Sequence, residues 1–233
     1  MPAFGEERRI GATLGSLRET LGPLGPLELI VVDDGSFDAT GERATDAGAD
    51  QVIRLPVNRG KGAAVRTGVL AATGSAVVFT DADLSYPPSQ VGRLLVDIEA
   101  GWDVVVGNRH HADTRTLVGG GLLRDASGLV FNRVTRLILD RSYGDTQCGL
   151  KGFHADAAAL LFAKAEIDSF AFDVEILWLA GHLGLSVHEV PVELDSAEGS
   201  TVRLTNDALT MLRDLNRLRR RAAAGVYGPG RRP

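Results

Sequence analysis

Apolar residues along this chain fall into two alternating rhythms. The first is helical. Ile10, Leu14, Leu17 and Leu21 recur at three- and four-residue spacing and predict a helix over 6–21. The second is a short continuous apolar run. Residues 27–32 are such a run and end in Asp33-Asp34-Gly35-Ser36, which predicts a buried strand of the parallel type followed by a turn. The alternation then repeats as helix 38–48, strand 51–55, helix 60–72, strand 75–80, helix 88–100 and strand 103–107. The polar stretch 108–118 reads as a mobile loop. Helix 121–140, strand 150–154, helices 155–164 and 172–183, and strand 186–194 follow. Helix 204–222 closes the body, and the last eight residues read as frayed. There is no internal repeat.

Strands alternating with helices imply a parallel sheet in an α/β layer fold. The ligand crevice of such a fold lies at the carboxyl ends of the strands. Asp33-Asp34, Asp81-Ala82-Asp83 and Asn108-Arg109 all fall at predicted carboxyl ends, so three polar clusters share one rim.

Composition narrows the picture. A length of 233 residues with 44% hydrophobic content suits one large domain, or one domain with an appendage. A net charge of −5 argues against a general nucleic-acid binder. The charge is uneven. Residues 203–233 hold eight arginines and two aspartates, a net +6, which leaves −11 on the rest. A basic stretch of this kind suits anionic lipid or phosphate surfaces, and equally a solvated helix face. The single cysteine, Cys148, excludes an internal disulfide and fits a reducing compartment. No apolar run approaches the 18 residues of a membrane span, and no secretory leader pattern is visible.

The densest chemistry lies between Val77 and Pro88. An apolar strand runs into Asp81 and Asp83, one residue apart, and Pro87-Pro88 then opens a helix. Two carboxylates at the end of a buried strand concentrate negative charge that a divalent cation relieves. Mg²⁺ or Mn²⁺ held by one or two carboxylates usually completes its shell with substrate phosphates. The alternative is a solvated Asp-x-Asp turn. Gly60-Lys61-Gly62 matches neither a P-loop nor a dinucleotide fingerprint. It reads instead as a glycine-rich helix start near a donor phosphate.

Five segments occur in order: Pro2-Ala3-Phe4-Gly5-Glu6-Glu7, Val32-Asp33-Asp34-Gly35-Ser36, Asn58-Arg59-Gly60-Lys61-Gly62, Asp81-Ala82-Asp83 and Gly107-Asn108-Arg109. Together they resemble the family 2 inverting glycosyltransferases of the GT-A fold. Arg124-Asp125-x-Ser127, Asn132, the run from Asp145 to Phe153, Phe170-Ala171-Phe172-Asp173-Val174-Glu175 and Glu189-Val190-Pro191-Val192 resemble the dolichyl/polyprenyl-phosphate branch, nearest its β-glucosyltransferase type. The resemblance covers about residues 2–216.

It implies an α/β, Rossmann-like, mostly parallel sheet flanked by helices. A GT-A domain spans 1–203, a basic amphipathic helix 204–225 and a disordered tail 226–233. Among nucleotide-sugar contacts it implies Pro2, Ala3, Glu6, Lys61 and Ala82, with Asp33 on the base and Asp34 near the ribose or diphosphate. It places Asp81 and Asp83 at a Mg²⁺ or Mn²⁺ ion. Arg109, Arg124 and Arg203 would neutralise donor or acceptor phosphates, a task suited to guanidinium forks. Asp145 would line the pocket near the sugar and acceptor phosphate. With Asp83, these four make up the expected catalytic group.

The chain departs from the family pattern in places. Met1 stands where the first strand should end, so that strand is missing or truncated and a start further upstream is expected. Gly5 replaces an Asn, Ser85 a Gln, Leu194 a Trp and Thr201 a Lys.

The implied activity is inverting transfer of a hexose, with UDP-glucose the favoured donor, to a polyprenyl phosphate. Such an acceptor is already an anion and needs positioning between arginines rather than a base. In the last helix Leu204, Ala208, Met211, Leu212, Leu215 and Leu218 form an apolar stripe, with Arg213, Arg217 and Arg220 opposite. This helix either packs on the domain or lies against a membrane, giving peripheral attachment on the cytoplasmic face. Two other readings stand beside this one: a transferase acting on a soluble small acceptor, and a non-catalytic nucleotide-sugar binding module.

Overall fold

The structure is a computed structural model, which describes residues 1–116, 143–194 and 206–228; the side chains of Thr116 and of residues 206–212 are not among those described. The expected helix 121–140, with Arg124, lies outside the described residues, as do Thr201 and Arg203.

Strand β1 (Pro2–Ala3) is followed by α1 (Ile10–Leu21), β2 (Ile30–Asp33), α2 (Thr40–Asp46), β3 (Gln51–Arg54), α3 (Lys61–Ala71) and β4 (Ala76–Phe79). Then come α4 (Ser89–Glu99), β5 (Val104–Asn108), β6 (Arg115–Thr116) and β7 (Lys151–His154). Helices α5 (Ala155–Lys164) and α6 (Phe172–Leu183), strands β8 (Val187–Pro191) and β9 (Glu193–Leu194), and helix α7 (Asn206–Ala223) complete the chain.

Helix α1 starts at Ile10 rather than at residue 6. The segment 6–9 is wholly charged and offers no apolar side chain to the core. It forms a turn instead, with the Arg9 and Ile10 amides donating to the Glu6 carbonyl. From Ile10 onward the predicted stripe, with Thr13, is buried.

The strands form a three-stranded sheet in the order β1-β2-β3, a four-stranded sheet β4-β7-β5-β8, and a small pair β6-β9. Pairing is parallel except where β7 lies antiparallel between β4 and β5. The sheet is thus mostly parallel, as expected, and the one reversed strand matters for the site. Lys151, the first residue of β7, pairs with Phe79 at the end of β4 and with Val106 near the end of β5. The chain therefore enters β7 at the rim where β4 and β5 finish. This brings the approach segment 143–150, with Asp145, to that rim.

Alternation along β5 splits the core into two faces. Val104 and Val106 pack with Phe79, Phe153, Phe162, Phe172 and Leu177. Val105 packs with Leu14, Leu94, Ile98 and Leu150 on the other face. The stretch 108–116, expected as a loop, is tied down by β6. The Arg115 amide donates to the Val192 carbonyl, and the Thr114 hydroxyl donates to the Asn108 carbonyl at 2.6 Å.

Helix α7 packs on the domain. Leu215 and Leu218 are each 1% exposed and belong to the main core. Tyr227, in the stretch expected to fray, is buried as well, and its hydroxyl donates to Glu175 Oε1 at 3.3 Å.

Candidate functional site

Asp33 ends β2 and is fully buried. Its Oδ1 accepts the Ser36 amide at 2.9 Å, which shapes the turn after the strand. Its Oδ2 has no hydrogen-bond partner and faces Arg54 Nε at 3.5 Å. A buried carboxylate oxygen with spare capacity is a position for an incoming donor group. A cavity of about 340 Å³ opens beside this turn, lined by Gly35, Ser36, Phe37, Arg54, Leu55 and Pro56.

Asp34 is differently employed. Its two oxygens accept the Arg59 and Gly60 amides, each at 2.8 Å. The carboxylate expected at the ribose or diphosphate thus pins the turn that leads to Lys61. Pro2 and Ala3 flank this turn through β1, where the Asp34 amide donates to the Ala3 carbonyl at 2.8 Å. Gly5 adopts φ +72°, a conformation open to glycine and to the asparagine it replaces.

Gly60-Lys61-Gly62 is not a phosphate cradle here. The Gly62 amide donates to the Asp168 carbonyl at 2.8 Å and the Ala63 amide to the same oxygen at 3.3 Å. These two donors of the α3 N-terminus are therefore occupied. Gly60 has φ +106°, and a Cβ there would stand 2.6 Å from the Asp168 carbonyl oxygen. Close approach of the 167–168 backbone explains the glycines.

What the loop delivers is Lys61. Its Nζ lies 2.6 Å from Asp81 Oδ1, with the side chain 18% exposed. Burial opposes the charge, but the carboxylates of Asp81, Asp173 and Asp83 outweigh it and hold the ammonium above the usual lysine value. Asp81 and Asp83 follow β4. Asp83 Oδ1 accepts the Ser85 amide at 3.0 Å, and Leu84 between them takes φ +48°. A left-handed leucine is uncommon and marks a constrained turn. Ala82 is buried, and its carbonyl accepts the Thr13 hydroxyl at 2.7 Å. Glu6 pairs with Arg9 at 2.7 Å. Its carboxyl is raised first by burial, against the pull of Arg9, and further by the charges of Asp83, Asp38 and Asp81.

Two residues missed in the sequence lie behind this cluster. Lys151 is fully buried in β7, and its Nζ donates at 2.6 Å both to Asp173 Oδ1 and to the Cys148 carbonyl. Burial raises the Asp173 carboxyl, while Lys151 and Lys61 pull it down. The order Asp81, Lys61, Asp173, Lys151 is thus a chain of alternating charge running from rim to core. The signal for it was a lysine at the start of a short strand and an aspartate in the first turn of an apolar helix. Glu175, one helical step on, lies elsewhere. It is fully buried and accepts the Glu166 and Ile167 amides at 3.0 and 2.8 Å.

Arg109 is held along one edge of its guanidinium. Nε and Nη2 grip Asp145 at 2.6 and 2.8 Å, and the Arg109 amide adds a third bond at 3.1 Å. Asp145 is fully buried. Burial would raise its carboxyl, but the Arg109 fork holds it below the usual value. Cys148 is a buried small side chain whose thiol is raised by desolvation.

Asp81 and Asp83 are an oxygen-only donor pair of the kind hard divalent cations take. An added Cβ at Gly149 would overlap Asp81 Oδ2, so only glycine leaves that oxygen room. The two aspartates therefore fit such an ion. Among the described residues no third His, Cys, Asp or Glu completes a protein cage. That leaves the remaining positions to substrate oxygens and water, the usual arrangement for Mg²⁺.

The fold is a mostly parallel α/β one, with acidic turns after β2 and β4 and an arginine–aspartate fork after β5. The chain belongs to glycosyl transferase family 2, whose description matches residues 1–162. It is 34% identical to the dolichyl-phosphate beta-glucosyltransferase of Drosophila melanogaster, over 92% of this chain and 72% of that protein. The Homo sapiens protein of the same name is 30% identical over 97% of this chain and 76% of its own length. Among solved structures, the glucosyl-3-phosphoglycerate synthase of Mycobacterium tuberculosis superposes with a TM-score of 0.69 at 22% identity, over 94% of this chain and 77% of that one. That structure holds Mn²⁺, UDP-glucose and phosphoglyceric acid; its likeness to this chain is one of fold.

Proposed function

We propose that this glycosyltransferase moves a glucosyl group from a nucleotide diphosphate sugar, UDP-glucose in the favoured case, to a polyprenyl-type phosphate, with inversion. The observation that carries the reading is the sustained 30–34% identity to dolichyl-phosphate beta-glucosyltransferases over most of the chain, with Asp81 and Asp83 set at the end of β4.

Each residue has a task on this reading. Asp33 offers Oδ2, which has Arg54 beside it but no hydrogen bond, to the base. Asp34 holds the 59–60 turn so that Lys61 reaches the rim. Asp81 and Asp83 hold Mg²⁺ or Mn²⁺, which when bound offsets the charge gathering on the departing diphosphate. Asp145 sets the plane of Arg109, whose guanidinium edge faces the acceptor phosphate. Arg124 and Arg203 bring further positive charge. A phosphate acceptor is ionised at pH 7, so orientation replaces deprotonation.

Helix α7 supports peripheral attachment at the cytoplasmic membrane face. No described helix is long and apolar enough to cross a membrane. Arg213, Arg219 and Arg220 are exposed on α7, while Leu215 and Leu218 face the core. Contact would therefore be electrostatic, through arginines rather than inserted leucines. The same burial favours a second reading, in which the acceptor is a soluble phosphorylated molecule.

A screen of radiolabelled nucleotide sugars with Mg²⁺ or Mn²⁺ and membranes, followed by lipid extraction, tests the proposal. Label in the lipid phase from UDP-glucose is expected. Label passing only to a water-soluble phosphate acceptor would select the second reading.

A further inference from the structure

Asp81 is hemmed in on both oxygens. Lys61 Nζ lies 2.6 Å from Oδ1, and Oδ2 lies against Gly149, where a Cβ would overlap it. The lysine backbone is fixed. Gly60 is pressed against the Asp168 carbonyl, and the Gly62 amide is bonded to it at 2.8 Å. Only the Lys61 side chain is left to move. Asp173, whose charge also acts on Lys61, already holds Lys151 at 2.6 Å. The Lys61 ammonium therefore stands where added positive charge at Asp81 has to go.

We propose that Lys61 is an internal counter-ion that competes with the divalent cation for Asp81 and passes to the donor diphosphate when cation and nucleotide arrive together. This rests on the metal-dependent reading above and adds an order of binding to it. A divalent cation alone displaces an ammonium from Asp81 with nowhere favourable to send it. With a nucleotide diphosphate present, the released ammonium has a partner of greater charge. Cation and nucleotide then bind cooperatively, and the coupling is reciprocal. The Lys151–Asp173 pair sharpens the effect, because it keeps Asp173 from capturing Lys61.

The test is Mn²⁺ binding, followed by the loss of the free-ion electron paramagnetic resonance signal, with and without UDP. Wild-type protein should bind Mn²⁺ weakly alone and on the order of tenfold or more tightly with UDP, a usual scale for such coupling. Lys61→Met should bind Mn²⁺ tightly without UDP and show little further gain when UDP is added. Lys61→Arg, which keeps the charge, should behave as wild type without UDP. Far-ultraviolet circular dichroism and thermal unfolding establish that each variant is folded. Unchanged Mn²⁺ affinity in folded Lys61→Met and Lys61→Gln overturns the competition and leaves the metal reading standing. No Mn²⁺ binding to any of these proteins, with or without UDP, overturns the metal reading and this inference with it.

Discussion

Arg109 and Asp145 lock together through two parallel bonds, Nε to Oδ2 at 2.6 Å and Nη2 to Oδ1 at 2.8 Å, although 36 residues separate them. The aspartate is wholly buried and the arginine side chain is 31% exposed, so one edge of the guanidinium is anchored and the other is available to the rim. An arginine that binds a phosphate must not also wander, and the fork removes that freedom.

Asp145→Asn should therefore damage both function and fold. Breaking a largely buried pair by removing one charge is worth about 3 kcal/mol or more of stability. The sign with pH is set by the depressed Asp145 carboxyl. Its contribution is fully present above the unfolded value near 3.8 and is lost as pH falls through the lower folded value. Chemical denaturation from pH 7 to pH 3 should show wild type losing its advantage over Asp145→Asn only at the acid end. A constant gap between the two down to pH 3 would show that the fork carries no linked stability.

Asp83→Ala should abolish turnover and leave the fold intact. Its carboxylate takes one backbone amide, from Ser85, so little structure depends on it. Loss of one electrostatic group acting on a leaving diphosphate is worth about 3 kcal/mol of the barrier, a hundredfold or more in kcat. Gly149→Ala supplies a companion test. The new methyl group displaces Asp81 Oδ2 rather than deleting it. Its activity should fall by a larger factor than its thermal stability accounts for. Near-wild-type turnover in either variant would falsify the assignment of Asp81 and Asp83.

Asp33→Asn separates a binding role from a turn role. Asparagine keeps an acceptor for the Ser36 amide, so the melting temperature should change little. Nucleotide affinity should fall, and KM should rise more than kcat drops, because a base contact is made equally in the ground and transition states. Calorimetric titration with UDP checks this. Equal affinity in variant and wild type would leave Asp33 a turn residue only.

Asp33, Asp81 and Arg109 were readable because each follows a run of apolar residues, and a strand that ends in a polar cluster puts that cluster on the rim. The strand direction of β7 was not readable, since the pattern of so short a strand, Lys151-Gly152-Phe153-His154, does not encode which way it runs. The backbone contacts of Asp34 and of the glycine-rich helix start at 60–62 were not readable, because their partners come from turns 25 and more than 100 residues away. Local pattern does not encode such pairings. Lys151 and Asp173 were quoted in motifs without a role. Only the contact between β7 and α6 reveals that they neutralise one another. Arg124 and Arg203 lie outside the described residues, so their place at the rim rests on the family resemblance.

The last prediction concerns α7. The described end of its apolar stripe is in use, since Leu215 and Leu218 are in the core, and Arg217 and Arg221 both pair with Glu166. If the helix meets a membrane it does so through its outward charges, Arg213, Arg219 and Arg220. Each basic residue near an anionic surface contributes about 1 kcal/mol, so three give weak, reversible attachment. Such attachment fades as the screening length shortens to about 3 Å at 1 M salt. Charge reversal at Arg213, Arg219 and Arg220 should release the protein from phosphatidylserine vesicles while leaving its melting temperature nearly unchanged. Reversal at Arg217 should instead lower the melting temperature, because it sets two like charges against each other at Glu166. The triple variant should lose more activity toward a long-chain polyprenyl phosphate than toward a short, soluble analogue. Equal loss on both acceptors, with no vesicle binding by wild type at low salt, would assign the α7 arginines to solvent and favour a soluble acceptor.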